Sequence, residues 1–157
     1  MIKRRYCLFG GKLTTYRKLA ESAMQQLKAF FPEMQESWTA TEALPGGENM
    51  ESVEQLMREI RAQVTDASED LVKRWASAYG SRIWNILGEK SSVEQFGQHF
   101  GQGLYAREVD YLCTAEWVTT SQDVLWRRSK LGLSFTQKES EALDAYLIVK
   151  THSNEAA

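Results

Sequence analysis

From Leu13 onward the apolar residues recur every three or four positions and nowhere alternate convincingly, a pattern that restricts the chain to packed helices. Tyr16, Ala20, Ala23, Leu27 and Phe30 form the first stripe, with Arg17, Lys18, Glu21, Gln25 and Lys28 on the other side. The spacing predicts a helix of about five turns over 13–31, ended by Pro32. Val53, Leu56, Met57, Ile60 and Val64 predict a second helix over 50–64, with Asn49 as its N-cap. Asp66-Ala67-Ser68-Glu69 has the form of a capping box, opening a helix with Leu71, Val72, Trp75 and Tyr79 inward until Gly80. Ser81 then caps a short helix carrying Ile83, Trp84, Ile86 and Leu87 before Gly88.

Between Glu89 and Gly103 glycines are too frequent for a helix, which predicts an ordered loop whose Phe96 and Phe100 plug the core. Tyr105, Val109, Leu112, Cys113 and Trp117 predict a helix to about residue 118, and Thr119 to Gln122 a break. Asp123 starts the next helix or lies one turn into it, with Val124, Leu125, Trp126 and Leu131 leading to Gly132. Thr136-Gln137-Lys138-Glu139 is a second capping box, followed by Ala142, Leu143, Tyr146, Leu147 and Val149 to about Lys150. The fold class is therefore all-α: a strand-like N-terminal stub and long helix, then a bundle of about five or six helices. Pro32, Pro45, Gly46 and Gly47 mark residues 32–49 as a linker, dividing an N-terminal segment, 1–31, from a helical domain, 50–152, with a flexible tail at 153–157.

Composition narrows the function. With 157 residues, 43% hydrophobic and 25% charged, the chain can bury a real core. Nineteen basic against twenty-one acidic side chains offer no global field for nucleic acid or anionic lipid. Cys7 and Cys113 fit neither a disulfide framework nor a zinc site and read as reduced thiols of a soluble, cytoplasmic chain. The abrupt opening, Met1-Ile2-Lys3-Arg4-Arg5 leading straight into Cys7-Leu8-Phe9, reads as a cut inside a larger protein, because a lone strand has nothing to pair with.

Catalytic constellations are sparse. His99 and His152 sit in a glycine-rich loop and in the tail, and neither belongs to a recognisable triad. Metal spacing is absent, and the helical acidic residues read as solvated faces. Arg127-Arg128-Ser129-Lys130 resembles a nucleic-acid contact only in composition. Asp123, four residues before Arg127, favours a buried or interfacial ion-pair network instead. Trp75, Trp84, Trp117 and Trp126 read as core or interface anchors.

The stretch Cys7 to Lys18 is the most specific. An apolar run breaks at Gly10-Gly11 and restarts as a helix beside Lys12, exposing backbone N–H groups at a helix N-terminus. Spacing alone favours an ordinary strand-to-helix turn over an anion or cofactor contact. A P-loop is excluded, since Tyr6 and Leu13 stand where Gly and Ser or Thr are required.

Gly10-Gly11-Lys12-Leu13-Thr14-Thr15-Tyr16-Arg17-Lys18-Leu19-Ala20-Glu21 resembles the late flavin-contacting segment of aerobic, FAD-dependent glycerol-3-phosphate dehydrogenases. Cys113-Thr114-Ala115-Glu116-Trp117 and Asp123-Val124-Leu125-Trp126-Arg127-Arg128-Ser129-Lys130-Leu131-Gly132 resemble the signature of that family's C-terminal helical domain, and Leu44-Pro45-Gly46-Gly47 fits the linker. The resemblance implies oxidation of sn-glycerol 3-phosphate to dihydroxyacetone phosphate, with FAD in the intact enzyme and electrons passing to quinone. It implies that Gly10, Gly11, Lys12, Leu13 and Thr14 contact the cofactor and that Lys12 and Thr14 also reach the substrate phosphate. Arg17 pairs more simply with Glu21. The Rossmann segment G-x-G-x-x-G is absent, so the chain is expected to be a structural cap, catalytically incomplete and binding no FAD alone. Its implied partner is the N-terminal FAD and substrate domain of the same enzyme. A homodimer, and peripheral attachment of the intact enzyme to the cytoplasmic face of the inner membrane, are also compatible. No nucleic-acid partner is expected, and the rival reading is a free-standing helical interaction module.

Overall fold

Two serines decide where the helices of the main unit begin. Ser52 accepts a hydrogen bond from the Gln55 amide (3.1 Å) and caps α2 (Val53–Gln63). Ser68 accepts from the Leu71 amide (3.3 Å) and caps α3 (Glu69–Tyr79). Each supplies an acceptor to amides that the helix itself cannot satisfy. Asn49 is therefore not a cap; it lies three residues earlier in a left-handed conformation (φ +54°). Asp66 does not open a capping box either, because its carboxylate reaches across to the Ser92 hydroxyl (2.7 Å) and the Val93 amide (3.1 Å).

The computed structural model describes residues 11–155, with side chains described to residue 150. It divides into two compact units, Met1–Ala43 and Leu44–Ala157. The first contains a 3-10 turn (Leu13–Thr15), α1 (Tyr16–Leu27) and a second 3-10 turn (Lys28–Phe30), as the 13–31 periodicity predicts. Nothing in α1 is fully buried; Ala23 and Leu27 are half-buried while Tyr16 and Phe30 are exposed.

The second unit continues from α2 and α3 into a 3-10 turn (Gly80–Arg82) and α4 (Ile83–Leu87). Ser81 does not cap α4. Its hydroxyl donates to Glu48 (3.2 Å), while its amide donates to the Gly46 carbonyl (2.8 Å). Gly46 and Gly80, both at positive φ, face one another so closely that a Cβ on Gly80 would lie 1.9 Å from the Gly46 oxygen. The end of the expected linker is thus bound to the helical unit through glycines that no other residue can replace.

The glycine-rich loop holds a small antiparallel hairpin, β1 (His99–Gly101) and β2 (Leu104–Tyr105), turned by Gln102 and Gly103, both at positive φ. The strands were masked in the sequence because three residues and two residues are too short to show a period of two. Phe96 and Phe100 do plug the core. The hairpin feeds α5 (Ala106–Ala115), which ends before residue 118.

Asp123–Arg128 is a π-helical segment, in which the Ser129 amide reaches back five residues to the Val124 carbonyl (3.0 Å). Thr120 and Asp123 cap its start reciprocally: Asp123 accepts from the Thr120 amide (3.0 Å), and the Thr120 hydroxyl accepts from the Asp123 amide (3.2 Å). The helix expected through Leu131 therefore breaks at Lys130, which is left-handed (φ +62°). The Thr136 box is formed as expected, with Glu139 accepting from the Thr136 amide (2.7 Å), and α6 (Gln137–Glu155) runs past Lys150.

The core joins Leu56, Ile60 and Val64 of the α2 stripe to Val72 and Trp75 of α3, Ile86 and Leu87 of α4, Val109 and Leu112 of α5 and Leu143 and Leu147 of α6. Several residues expected inward lie outside it, among them Val53 and Trp126, both partly exposed. Trp117 is 88% exposed, because α5 has already ended, and Val149 is exposed because it falls off the Leu143–Leu147 line. The architecture is all-α apart from the hairpin.

Candidate functional site

Gly11, Lys12, Leu13 and Thr14 form one continuous exposed turn entering α1. Gly11 adopts φ +115°, which a side chain would strain, and a Cβ there would also press on Leu19 at 3.2 Å. Thr15 folds onto the turn, its amide (2.9 Å) and hydroxyl (3.0 Å) both donating to the Lys12 carbonyl. No side chain caps this turn and its first turn holds no acidic residue, which leaves its backbone N–H groups without a side-chain acceptor from the turn itself. Leu13 is 88% exposed. Gly10 and Cys7 to Phe9 lie outside the described residues.

One turn further along, Arg17 pairs with Glu21 (2.6 Å), as the four-residue spacing predicts. Glu21 also accepts from the Thr39 hydroxyl (2.6 Å) and Lys18 (2.9 Å). These donors, Thr39 first, hold its carboxyl down to about 2. Arg17 is thereby committed to structure within the first unit.

The polar centre of the second unit was illegible in the sequence. Glu108 of α5 is 1% exposed and accepts four hydrogen bonds from α3: two from Arg74 (2.6 and 2.7 Å), one from Trp75 Nε1 (3.1 Å) and one from the Tyr79 hydroxyl (2.5 Å). Arg74 also donates to the Gly103 carbonyl (2.8 Å), tying the hairpin to the same group. Burial opposes the charge of Arg74, but the Glu108 carboxylate outweighs it and raises the guanidinium above its ordinary value. Burial and then the Glu108 charge push the Tyr79 phenol far up. Every lone-pair direction of the carboxylate is engaged, so this group fastens two helices and has no capacity left for a substrate. The helical acidic residues are therefore not uniformly solvated. Leu104, Glu108 and Leu112 recur every four residues, and that spacing was the available signal.

The Arg127 cluster is engaged by the protein. Arg127 pairs with Asp123 (2.7 Å), Arg128 donates twice to the Glu116 carbonyl (3.1 and 2.8 Å), and the Lys130 ammonium donates to the Trp126 carbonyl. The ion pair expected from the spacing is formed, and of the two settings expected for it, buried or interfacial, the buried one is excluded: the Arg127 side chain is 64% exposed. His99 accepts from the Gly103 amide (3.2 Å) within the hairpin. His152 lies outside the described side chains. Among the described residues no cluster of His, Cys, Asp and Glu could hold a metal, and no helix is long and apolar enough to cross a membrane.

Comparison with known proteins shows which family the chain belongs to. The chain is 54% identical over 141 residues to a glycerol-3-phosphate dehydrogenase of Pseudomonas tolaasii, covering 89% of this chain and 28% of the relative. It is 35% identical over 144 residues to the aerobic glycerol-3-phosphate dehydrogenase of Escherichia coli, covering 92% and 29%. A D-erythritol 1-phosphate dehydrogenase of Brucella abortus is 38% identical over 136 residues, covering 86% and 27%. The chain thus spans less than a third of the length of the relatives it matches. The family model for the C-terminal domain of alpha-glycerophosphate oxidase matches residues 37–152, the helical unit with its Glu108 fastening and its Asp123–Arg128 segment, and the chain belongs to that family.

Proposed function

We propose that this chain is the C-terminal part of an FAD-dependent polyol-phosphate dehydrogenase, in which the helical unit is a structural cap and the stretch Gly10 to Thr14 is one edge of the flavin site. The observation that carries the reading is the exposed, uncapped glycine turn at the start of α1, lying just upstream of a domain whose relatives act on phosphorylated polyols. FAD, when bound, supplies the hydride acceptor. Gly10 and Gly11 would let the backbone approach it. The amides of Leu13 and Thr14, at the positive end of α1, favour the negative charge that builds on a reduced flavin. Lys12 and Thr14 carry the polar groups available to flavin or to substrate phosphate.

The helical unit leaves the choice of substrate to other parts of the enzyme. Relatives of this same domain include dehydrogenases of glycerol 3-phosphate and of D-erythritol 1-phosphate, which supports a shared scaffold over a shared substrate pocket. Glycerol 3-phosphate is the reading favoured by the Pseudomonas relatives at 54% and 50% identity. In this reading the partner is the upstream FAD and substrate portion, the electron acceptor is a quinone at the cytoplasmic face of the membrane, and no nucleic acid takes part.

The test is a chimaera in which this chain replaces the matching segment of the Pseudomonas tolaasii enzyme. Flavin absorbance and glycerol-3-phosphate-dependent reduction of a soluble quinone analogue are measured. The chimaera is expected to hold flavin and turn over, and Gly11→Val to lose both. A Pseudomonas enzyme lacking the segment altogether that keeps flavin and turnover overturns the reading.

A further inference from the structure

The segment that carries the family signature ends in a geometry that the helical unit does not need for itself. Trp117 follows α5 at φ +57°, the left-handed region that helix ends normally give to glycine, and its indole stands 88% exposed. The loop around it is held firmly. Buried Val118 returns its amide to the Leu112 carbonyl (3.3 Å), Thr119 and Thr120 donate to Asp123, and Arg128 clamps the Glu116 carbonyl just before the tryptophan.

Arg128 also links this loop to the π-helical segment. There Trp126, 41% exposed, lies over Gly132 so closely that a Cβ on the glycine would meet its ring at 2.5 Å. Leu133 follows, 79% exposed. Two exposed tryptophans, one of them next to Arg127 and Arg128 in sequence, are the residue types enriched in binding hot spots, and Leu133 adds exposed apolar area. The frame is preordered, so docking would cost little conformational entropy.

We infer that the Trp117–Trp126–Leu133 surface is the docking face of this domain for the upstream, flavin-carrying portion of its own enzyme, with the Trp117 indole as the anchor entering an apolar pocket. The inference rests on the function proposed above. Seven-tenths or so of each relative's length lies outside the matched segment, so a large protein surface is available to cover the patch. Charge argues against lipid. Asp123 pairs with Arg127 and Glu116 with Arg128, which leaves far less free positive charge than the several Lys or Arg that anionic membranes select.

Hydroxyl-radical labelling of Trp117 compares the 157-residue chain with the Pseudomonas chimaera described above. The expected result is rapid oxidation of Trp117 in the chain alone and strong protection in the chimaera. Equal labelling in a chimaera that holds flavin overturns the docking face while leaving the domain assignment intact; a folded chimaera without flavin refutes the assignment. Trp117→Gly separates docking from folding by sign. In the chain alone it keeps or raises the thermal midpoint, because glycine accepts φ +57°, whereas in the chimaera it lowers the midpoint of flavin release. A lowered midpoint in both, or in neither, overturns the inference. So does a blue-shifted tryptophan emission of the chain with phosphatidylserine vesicles, or a dimer of the chain that Trp117→Gly dissolves.

Discussion

Replacing Glu108 by Gln is the sharpest test of what holds the helical unit together, because it changes chemistry without changing volume. The carboxylate accepts four hydrogen bonds, from Arg74 twice, Trp75 and Tyr79. An amide keeps one acceptor oxygen and turns an NH2 toward donors, so two of the four bonds become donor against donor. Hydrogen bonds to a charged group are worth about 1.5–3 kcal/mol each, and breaking a buried ion pair from one side costs about 3–5 kcal/mol. These overlap, so the expected loss is about 3–5 kcal/mol, a large part of the 5–15 kcal/mol or so that a domain possesses. Urea unfolding of the chain at neutral pH, followed by circular dichroism, reads it directly. Arg74→Met should cost a comparable amount by leaving the carboxylate without its counter-charge. The double variant should lose about 2 kcal/mol less than the sum, since each single change already breaks the same pair. A Glu108→Gln variant within about 0.5 kcal/mol of wild type, the size of an ordinary surface substitution, or an additive cycle, refutes the network as the fastening of α3 to α5.

Three further outcomes test other joints. Gly80→Ala places a Cβ 1.9 Å from the Gly46 oxygen at φ +53°, so it should abolish cooperative thermal unfolding or lower the midpoint steeply; a midpoint like wild type refutes the glycine contact. Ser52→Ala and Ser68→Ala should each cost about 1 kcal/mol in urea unfolding, while Asn49→Ala, outside the cap, should cost no comparable amount. Bonds from Thr119 and then Thr120 hold the Asp123 carboxyl well below its usual value of 3.8. Its stabilising effect is therefore complete above that value and is lost as pH falls toward the folded one. Wild type should lose stability more steeply than Asp123→Asn between about pH 5 and pH 2, and parallel slopes would contradict the assignment.

The helices, their inward stripes and the Thr136 cap were legible because each is decided within one or two turns of chain. Leu56, Ile60, Leu71, Trp75, Leu143 and Leu147 all sit where periodicity puts them. What was illegible depends on partners far away in sequence. Asp66 leaves its own helix for Ser92 and Val93, Ser81 turns to Glu48, and Glu108 finds Arg74 across 34 residues. The four-residue spacing of Leu104, Glu108 and Leu112 hints that this carboxylate faces inward but not which donors satisfy it, and Gly46 reads as linker until Gly80 lies against it.

Several departures from local regularity lie close together in sequence, in addition to those at Asn49 and Gln102 elsewhere. Trp117 and Lys130 both take left-handed backbone without being glycine, Trp117 and Leu133 are exposed, and the intervening helix winds as a π turn. All three departures fall within or beside the stretch from Cys113 to Gly132 that identifies the family from sequence. Local consistency is what a packed core asks of its residues, so a stretch that breaks it points to a role outside the isolated unit's own stability. The Glu108 network, by contrast, obeys every rule of burial and satisfaction and needs no outside partner. Stability and docking thus occupy separate parts of the helical unit: the first along the α3–α5 seam, the second on the rim where the chain gives up helical regularity to hold an indole in solvent.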